Sequence, residues 1–167
     1  QHTGSDIKEA DAFVRAAAVI FEFAESFPNL QIIDLGGGFK VAYKKGDHIT
    51  NMPELGAHLS EAFLDLSKKL GHELQLWFEP GKFLVSEAGY LLVQANVVKP
   101  APGRTFVGVN SGLNHLIRPM MYDAYHHIVN VSNPEGDKTE TYDVVGYICE
   151  TDTFAKDREI NEVREGD

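Results

Sequence analysis

The sequence predicts an α/β region over roughly its first half and a β-rich region after it. Three patterns carry that expectation: apolar residues at helical spacing, short apolar runs that stop at glycine, and a switch after about Phe83 to strand-like runs divided by Pro and Gly turns. From Asp6 to about Phe27, the residues Ala10, Phe13, Val14, Ala17, Ile20, Phe21 and Ala24 form one stripe, and Asp6 with Glu9 fits a capping box at its start. Pro28-Asn29 ends that helix. Leu30–Leu35 then reads as a buried strand that stops at Gly36-Gly37-Gly38. A second helix has Pro53 in its first turn, the stripe Leu55, Leu59, Ala62, Phe63, Leu66 and Leu70, and Gly71 as its stop. Leu74–Phe78 is another buried strand, halted by Glu79-Pro80-Gly81. With a strand-like segment around His2 the order is βαβαβ, which implies parallel strands with helices on an outer face.

Beyond that point the strand candidates are Gly89–Val98, Thr105–Val109, Ile128–Val131 and Thr141–Cys149. Turn signals such as Pro100-Ala101-Pro102-Gly103 and Asn133-Pro134-Glu135-Gly136-Asp137 separate them. The expected domains are therefore 1–84, α/β, and 85–167, β-rich. The first holds too few parallel strands to close a barrel, so its fold is expected to continue upstream of Gln1.

Composition fits a chain that buries a real core: 167 residues, 43% hydrophobic, 24% charged and 10% aromatic, which excludes disorder and a coiled coil. No apolar run approaches the ~18 residues a membrane span needs. The opening QHTGSD has neither an initiator Met nor a basic-then-apolar leader, so Gln1 reads as an internal residue and the chain as a piece of something longer. A net charge of -10 argues against nucleic acid or an anionic membrane as partner. The single cysteine, Cys149, cannot form an internal disulfide and makes a reducing, cytoplasmic setting the default.

Parallel α/β folds bind ligands beyond the carboxyl ends of their strands, which singles out His2-Thr3-Gly4-Ser5, Gly36-Gly37-Gly38 and Glu79-Pro80-Gly81-Lys82. Three glycines in a row either present backbone amides to an anion or make a tight turn. Ser5, at the entry of the first helix, either binds phosphate with the helix amides or caps the helix. Glu79, held between an apolar run and Pro-Gly, suits a protonated ring nitrogen or a metal, or is a solvated turn carboxylate. His2 matters chemically if its ring faces another flat ring. In the second region Arg118 and Tyr122 could grip a carboxylate, or form a surface ion pair and a packed ring. Cys149 ends an apolar strand and is either reactive or simply buried. Adjacent His126 and His127 on a strand would point to opposite faces, so no metal site is expected. Asp157-Arg158-Glu159 and Arg164–Asp167 read as solvated charged faces.

Taken in order, HTGS, GGGF, EPGK with FLVSEAG, GLNHLIRPMMYDAYH and CETDTFAKDRE resemble the motifs of the fold-type III decarboxylases that depend on pyridoxal 5′-phosphate, within which the likeness is greatest to members acting on diaminopimelate. The resemblance runs from His2 to Asp167. It implies that residues 1–84 are the last part of a cofactor-carrying, TIM-like β/α barrel and that 85–167 are much of a following barrel- or sandwich-like β domain. It also implies that His2 stacks on the pyridine ring, that Ser5, Gly36, Gly37, Gly38 and Gly81 hold the phosphate, and that Glu79 pairs with the ring nitrogen, making the ring an electron sink. Lys82 stands where the family usually has arginine after Glu-Pro-Gly, and keeps the charge for phosphate or substrate without the bidentate fork. Arg118 and Tyr122 match residues that grip the distal end of the substrate. Cys149 and Glu150 match a pair contributed across a dimer interface, the first a proton donor to Cα and the second a ligand for the distal ammonium.

The implied reaction is decarboxylation of meso-diaminopimelate to L-lysine and carbon dioxide by a cytoplasmic homodimer. The lysine that anchors the cofactor is expected upstream of Gln1, and a tyrosine-containing segment that completes the pocket beyond Asp167, so this chain alone should be inactive. Decarboxylases of ornithine, arginine or carboxynorspermidine are the nearest alternative. A non-catalytic relative acting through dimerisation is the alternative of a different class.

Overall fold

In the computed structural model, which describes residues 1–7 and 9–167, the first apolar stripe forms helix α1 (Ala10–Ala24), burying Phe13, Ala17, Phe21 and Ala24. The helix starts later than the Asp6–Glu9 capping box requires. Ile7 donates its backbone N–H to Gly38 O at 3.0 Å and bridges in parallel to Phe39, so the chain there is extended. Glu9 takes the N-cap position without a side-chain cap bond, and the Asp6 carboxylate pairs with Lys82 instead. This bridge is also what remains of the expected strand around His2.

Strand β1 (Ile32–Asp34) leads through helix α2 (Met52–Leu70) to strand β2 (Gln75–Trp77), which pairs with β1 in parallel, Ile33 opposite Leu76. Helix α2 has local signals at both ends. The Asn51 side chain accepts the Glu54 N–H, Pro53 lies in the first turn, and Gly71 closes the helix at φ 75°. Leu55, Leu59 and Leu66 pack with the buried face of α1 and with Ile33, Leu35 and Leu74 in one core. Phe39 extends that core as an aromatic cluster, 5.4 Å from Phe13 and 5.7 Å from Phe83, centroid to centroid. A short helix α3 (Gly81–Val85) follows β2; its five residues are too few to show a period in the sequence.

The chain divides into two compact units, Gln1–Gly89 and Tyr90–Asp167. The second contains β3 (Ala95–Ala101), β4 (Arg104–Val109), helix α4 (Arg118–Tyr122), β5 (Thr139–Val145) and β6 (Thr153–Asn161). The four strands form one sheet in the order β3-β4-β5-β6, with β3/β4 and β5/β6 antiparallel and β4/β5 parallel. Its core gathers Ala95, Val107, Val109, Tyr142, Val144, Phe154 and Ile160.

Several elements of this unit differ from what the sequence predicts. The strand expected over Gly89–Val98 starts at Ala95, because the Gln94 N–H is taken by the Asn110 side chain at 2.9 Å. Ile128–Val131 is not a strand: Val129 and Val131 face out, while Asn130 is buried and donates to Glu162 O and Asp167 Oδ2. The strand expected over Thr141–Cys149 ends at Val145, because the next N–H, from Gly146, closes a loop onto Asp152 O at 2.7 Å. Asp157-Arg158-Glu159 lies in β6, where Asp157 and Glu159 are exposed, as a solvated charged face requires, and Arg158 is half-buried. Asp157 sits at φ 51°, the ladder shifts register there, and Arg158 lies 3.8 Å from the centroid of the Tyr125 ring. In the last segment, Gly166 and Asp167 bond to the backbone of Ala95. Among the described residues no helix is long and apolar enough to cross a membrane.

Candidate active site

In the first unit the glycine triplet is the point where three chain segments meet. A Cβ on Gly36 would lie 2.2 Å from Gln1 O, one on Gly37 2.1 Å from Glu79 O, and one on Gly38 2.1 Å from Gly4 O. Each glycine is therefore required by a neighbouring backbone, and Gly36 and Gly38 also adopt φ of 71° and 92°. Hydrogen bonds fix the same junction. Glu79 N–H donates to Gly36 O at 2.8 Å, Gly36 N–H donates to Asp34 Oδ1 at 2.7 Å, and Gly81 N–H folds back onto Glu79 O at 2.8 Å. Gly4 and Gly81 differ from the triplet, since a Cβ at either would meet nothing within 4 Å. The segments carrying His2, Ser5, Glu79, Gly81 and Lys82 thus surround one bend, with the side chains of His2, Ser5 and Glu79 exposed.

Lys82 is not a free cation at this edge. It pairs with Asp6, and its Nζ lies 5.7 Å from the Tyr43 ring centroid. Lys40 also approaches that ring: its buried ammonium lies 4.8 Å from the same centroid and bonds to Asp47 Oδ2 at 2.9 Å. Lys40 first, and then the Tyr43 N–H, hold the Asp47 carboxyl well below the usual carboxylate range. These contacts fix the loop that leads from the glycine bend into α2.

The remaining candidates lie in the second unit. Arg118 opens α4 ahead of buried Pro119, and its Nη1 is 3.3 Å from His126 Nε2. Burial, then Arg118, then Arg158 push the His126 imidazole below its ordinary pKa. Tyr122, at the end of α4, is exposed. Cys149 and Glu150 share the loop between β5 and β6 and are both exposed. Sequence reasoning gave no role to two residues that the structure places beside these candidates. One is His126, against Arg118; the other is Asp152, buried beneath the Cys149-Glu150 loop. An aspartate three residues after Cys149 was a visible signal, but its burial was not. Among the described residues no group of three His, Cys, Asp or Glu side chains could hold a metal ion.

A family profile described as "Pyridoxal-dependent decarboxylase, C-terminal sheet domain" matches residues 23–167. The chain belongs to this family. Among its relatives in the family, the diaminopimelate decarboxylase of Methanothermobacter thermautotrophicus is 34% identical over 173 residues, covering 99% of this chain and 40% of that protein. The enzyme of the same name from Escherichia coli K12 is 33% identical over 178 residues, covering 99% of this chain and 42% of its own length. A crystal structure of diaminopimelate decarboxylase from Methanocaldococcus jannaschii in complex with L-lysine superposes with a TM-score of 0.88 at 30% identity, over 99% of this chain and 38% of that one. The chain spans about two fifths of the length of the curated relatives it matches.

Proposed function

We propose that this chain works within a longer pyridoxal-phosphate-dependent decarboxylase that converts meso-diaminopimelate to L-lysine and carbon dioxide. Residues 1–84 would complete a TIM-like β/α barrel, and 85–167 would form most of a β domain. The observation that carries this reading is the convergence of the His2–Ser5, Gly36–Gly38 and Glu79–Lys82 segments on one glycine bend. Two relatives and a lysine-bound structure named for this enzyme support the choice of substrate.

The residues fit the cofactor. Gly4 and Gly81 leave open space beside the bend where side chains would otherwise project, and Ser5 and Glu79 expose a hydroxyl and a carboxylate there. Ser5 and the backbone of Gly37 and Gly38 would hold the phosphate, Gly36 and Gly81 joining them by exchanging their N–H bonds to Asp34 Oδ1 and Glu79 O, and His2 would lie against the ring. When bound, the cofactor supplies a sink for the electron pair left at Cα as carbon dioxide departs. Glu79 holds the proton on the ring nitrogen, the role that makes this sink effective. Lys82, kept near the bend by Asp6, adds positive charge for phosphate or substrate carboxylate. Arg118 and Tyr122 bind the distal amino-acid end, the guanidinium taking its carboxylate. In a homodimer with sites at the interface, the Cys149 thiol delivers the proton to Cα and Glu150 accepts from the distal ammonium. We place the protein in the cytoplasm, a reducing setting that an unpaired Cys149 suits.

The test is carbon dioxide release by the full-length protein from meso-diaminopimelate, ornithine and arginine, with kcat/KM for the first at least ~100-fold higher. Glu79→Ala is expected to lower kcat by ~100-fold or more while changing cofactor affinity far less. Preference for ornithine or arginine would move the assignment to those decarboxylases. Release from none of the three would favour a non-catalytic relative that acts through dimerisation.

A further inference from the structure

The loop between β5 and β6 turns over a single buried carboxylate. Asp152 is 5% exposed, and its two oxygens accept from different segments: Oδ1 from Leu113 N–H at 2.8 Å, and Oδ2 from Ile148 N–H at 3.0 Å. Its own carbonyl accepts Gly146 N–H at 2.7 Å, which closes the mouth of the loop. Two glycines make room for this group. A Cβ on Gly146 would lie 2.1 Å from Asp152 Oδ2, and one on Gly112 2.6 Å from the same oxygen. Farther out, Tyr147 N–H donates to Ser111 O at 3.3 Å and the Tyr147 hydroxyl lies 3.1 Å from Asn114 Nδ2. The loop is thus laced along one side to the Ser111–Asn114 segment that follows β4, while Cys149 and Glu150 stand exposed at its apex.

We infer that Asp152 is the positioning residue for Cys149 and Glu150. The inference rests on the decarboxylase reading for what those two side chains do, but not for where they are held. Bonds from N–H groups to a buried carboxylate are about twice as strong as neutral ones, and each oxygen that is lost as an acceptor orphans the N–H bound to it. Cys149 follows Ile148 directly, so release of the Ile148 N–H frees the apex itself. A displacement of about 1 Å in a reacting group is enough to cost on the order of 100-fold in rate.

The experiment uses full-length, cofactor-loaded protein. In Asp152→Asn one oxygen becomes an NH2 facing a backbone N–H. Amide exchange at whichever of Leu113 and Ile148 faces the new NH2 is expected to speed up tenfold or more, roughly what loss of one hydrogen bond to a charge gives, and at the other by less, with Val107 and Val144 in the sheet unchanged. Alkylation of Cys149 by iodoacetamide should quicken about threefold, and kcat should fall by ~10–100-fold. If Asp152→Asn does not fold, Gly112→Ala, which pushes a methyl against Oδ2, should shift the same readouts in the same direction by less. Unchanged exchange and alkylation, or faster exchange with an undiminished kcat, overturns the inference. A wild-type protein that releases no carbon dioxide from any of the three amino acids overturns the decarboxylase reading instead, and exchange and alkylation then still decide the role of Asp152.

Discussion

The candidate segments of the two units are held chiefly by different means. In Gln1–Gly89 the candidate segments are brought together by side chains that are missing: at Gly36, Gly37 and Gly38 carbonyl oxygens of other segments approach to within 2.1–2.2 Å of where a Cβ would stand, beside a core of phenylalanine and leucine. In Tyr90–Asp167 the loops are fixed by buried polar groups. Asp143 joins Arg104 to the Asp157 N–H, Asn130 joins Glu162 to Asp167, and Asp152 joins Leu113 to Ile148. A close backbone approach tolerates no added atom, whereas a buried polar tie tolerates no lost partner. The two units should therefore fail under different kinds of substitution.

Adding one methyl group to the glycine bend is the strongest way to break this contrast. In Gly37→Ala the new Cβ meets the Glu79 carbonyl, a backbone group that cannot rotate away, and we expect a loss of more than ~3 kcal/mol in urea unfolding together with loss of cofactor loading. Gly56→Ala serves as the control. Its Cβ meets nothing within 4 Å on an exposed turn of α2, and alanine there should stabilise by about 0.5–1 kcal/mol. Equal responses at the two positions would mean that the bend relaxes and that close packing does not hold the three segments together.

Removing an acceptor from the second unit should cost less. The Asp143 side chain is 4% exposed, and Asp143→Ala strands the N–H of Asp157, a residue already held at φ 51°. Arg104 is half exposed and can return to water, so the expected loss is about 2 kcal/mol, most of it from the orphaned N–H. Asp143→Asn, which retains one acceptor, should recover about half of that in the same denaturant titration. If Asp143→Ala is neutral, the polar ties of this unit are decoration on an apolar core.

The same contrast explains what was legible in the sequence. Periodicity reports apolar faces, so α1 and α2 could be read from their stripes, and Asn51, Pro53 and Gly71 marked the bounds of α2. The runs that became β1 and β2 were visible, and each shortened where its ends joined the core or the bend. The second unit resisted because its determinants are polar and inward. Asn130 is buried between outward valines, which inverts the pattern that suggested a strand over Ile128–Val131. In β6 the shift in register at Asp157 breaks the alternation of Phe154, Ala155 and Ile160, leaving a charged stretch with no visible period. The motifs at the strand ends could be quoted from the sequence, but neither the burial of Asp152 nor the contact of His126 with Arg118 was written in residue type or spacing.

The smallest expected effect concerns that contact, and it sharpens the comparison through pH. In the folded protein burial, Arg118 and Arg158 disfavour the charged imidazole of His126, whereas in the unfolded chain it takes up a proton near the ordinary value of about 6.5. Above that value neither state holds the proton and the histidine contributes no slope. As the pH falls below it the unfolded chain gains a proton that the folded chain resists, so stability declines until the lower folded pKa is passed. Wild type and His126→Gln should therefore have parallel unfolding midpoints between pH 8 and 7 and diverge below about 6.5, with the wild type losing more. The loss should be slight, since the ring is only part-buried. A wild type that instead gains on the variant as the pH falls would place a carboxylate partner at the ring, and the cationic surroundings of His126 would no longer distinguish this unit from the glycine bend.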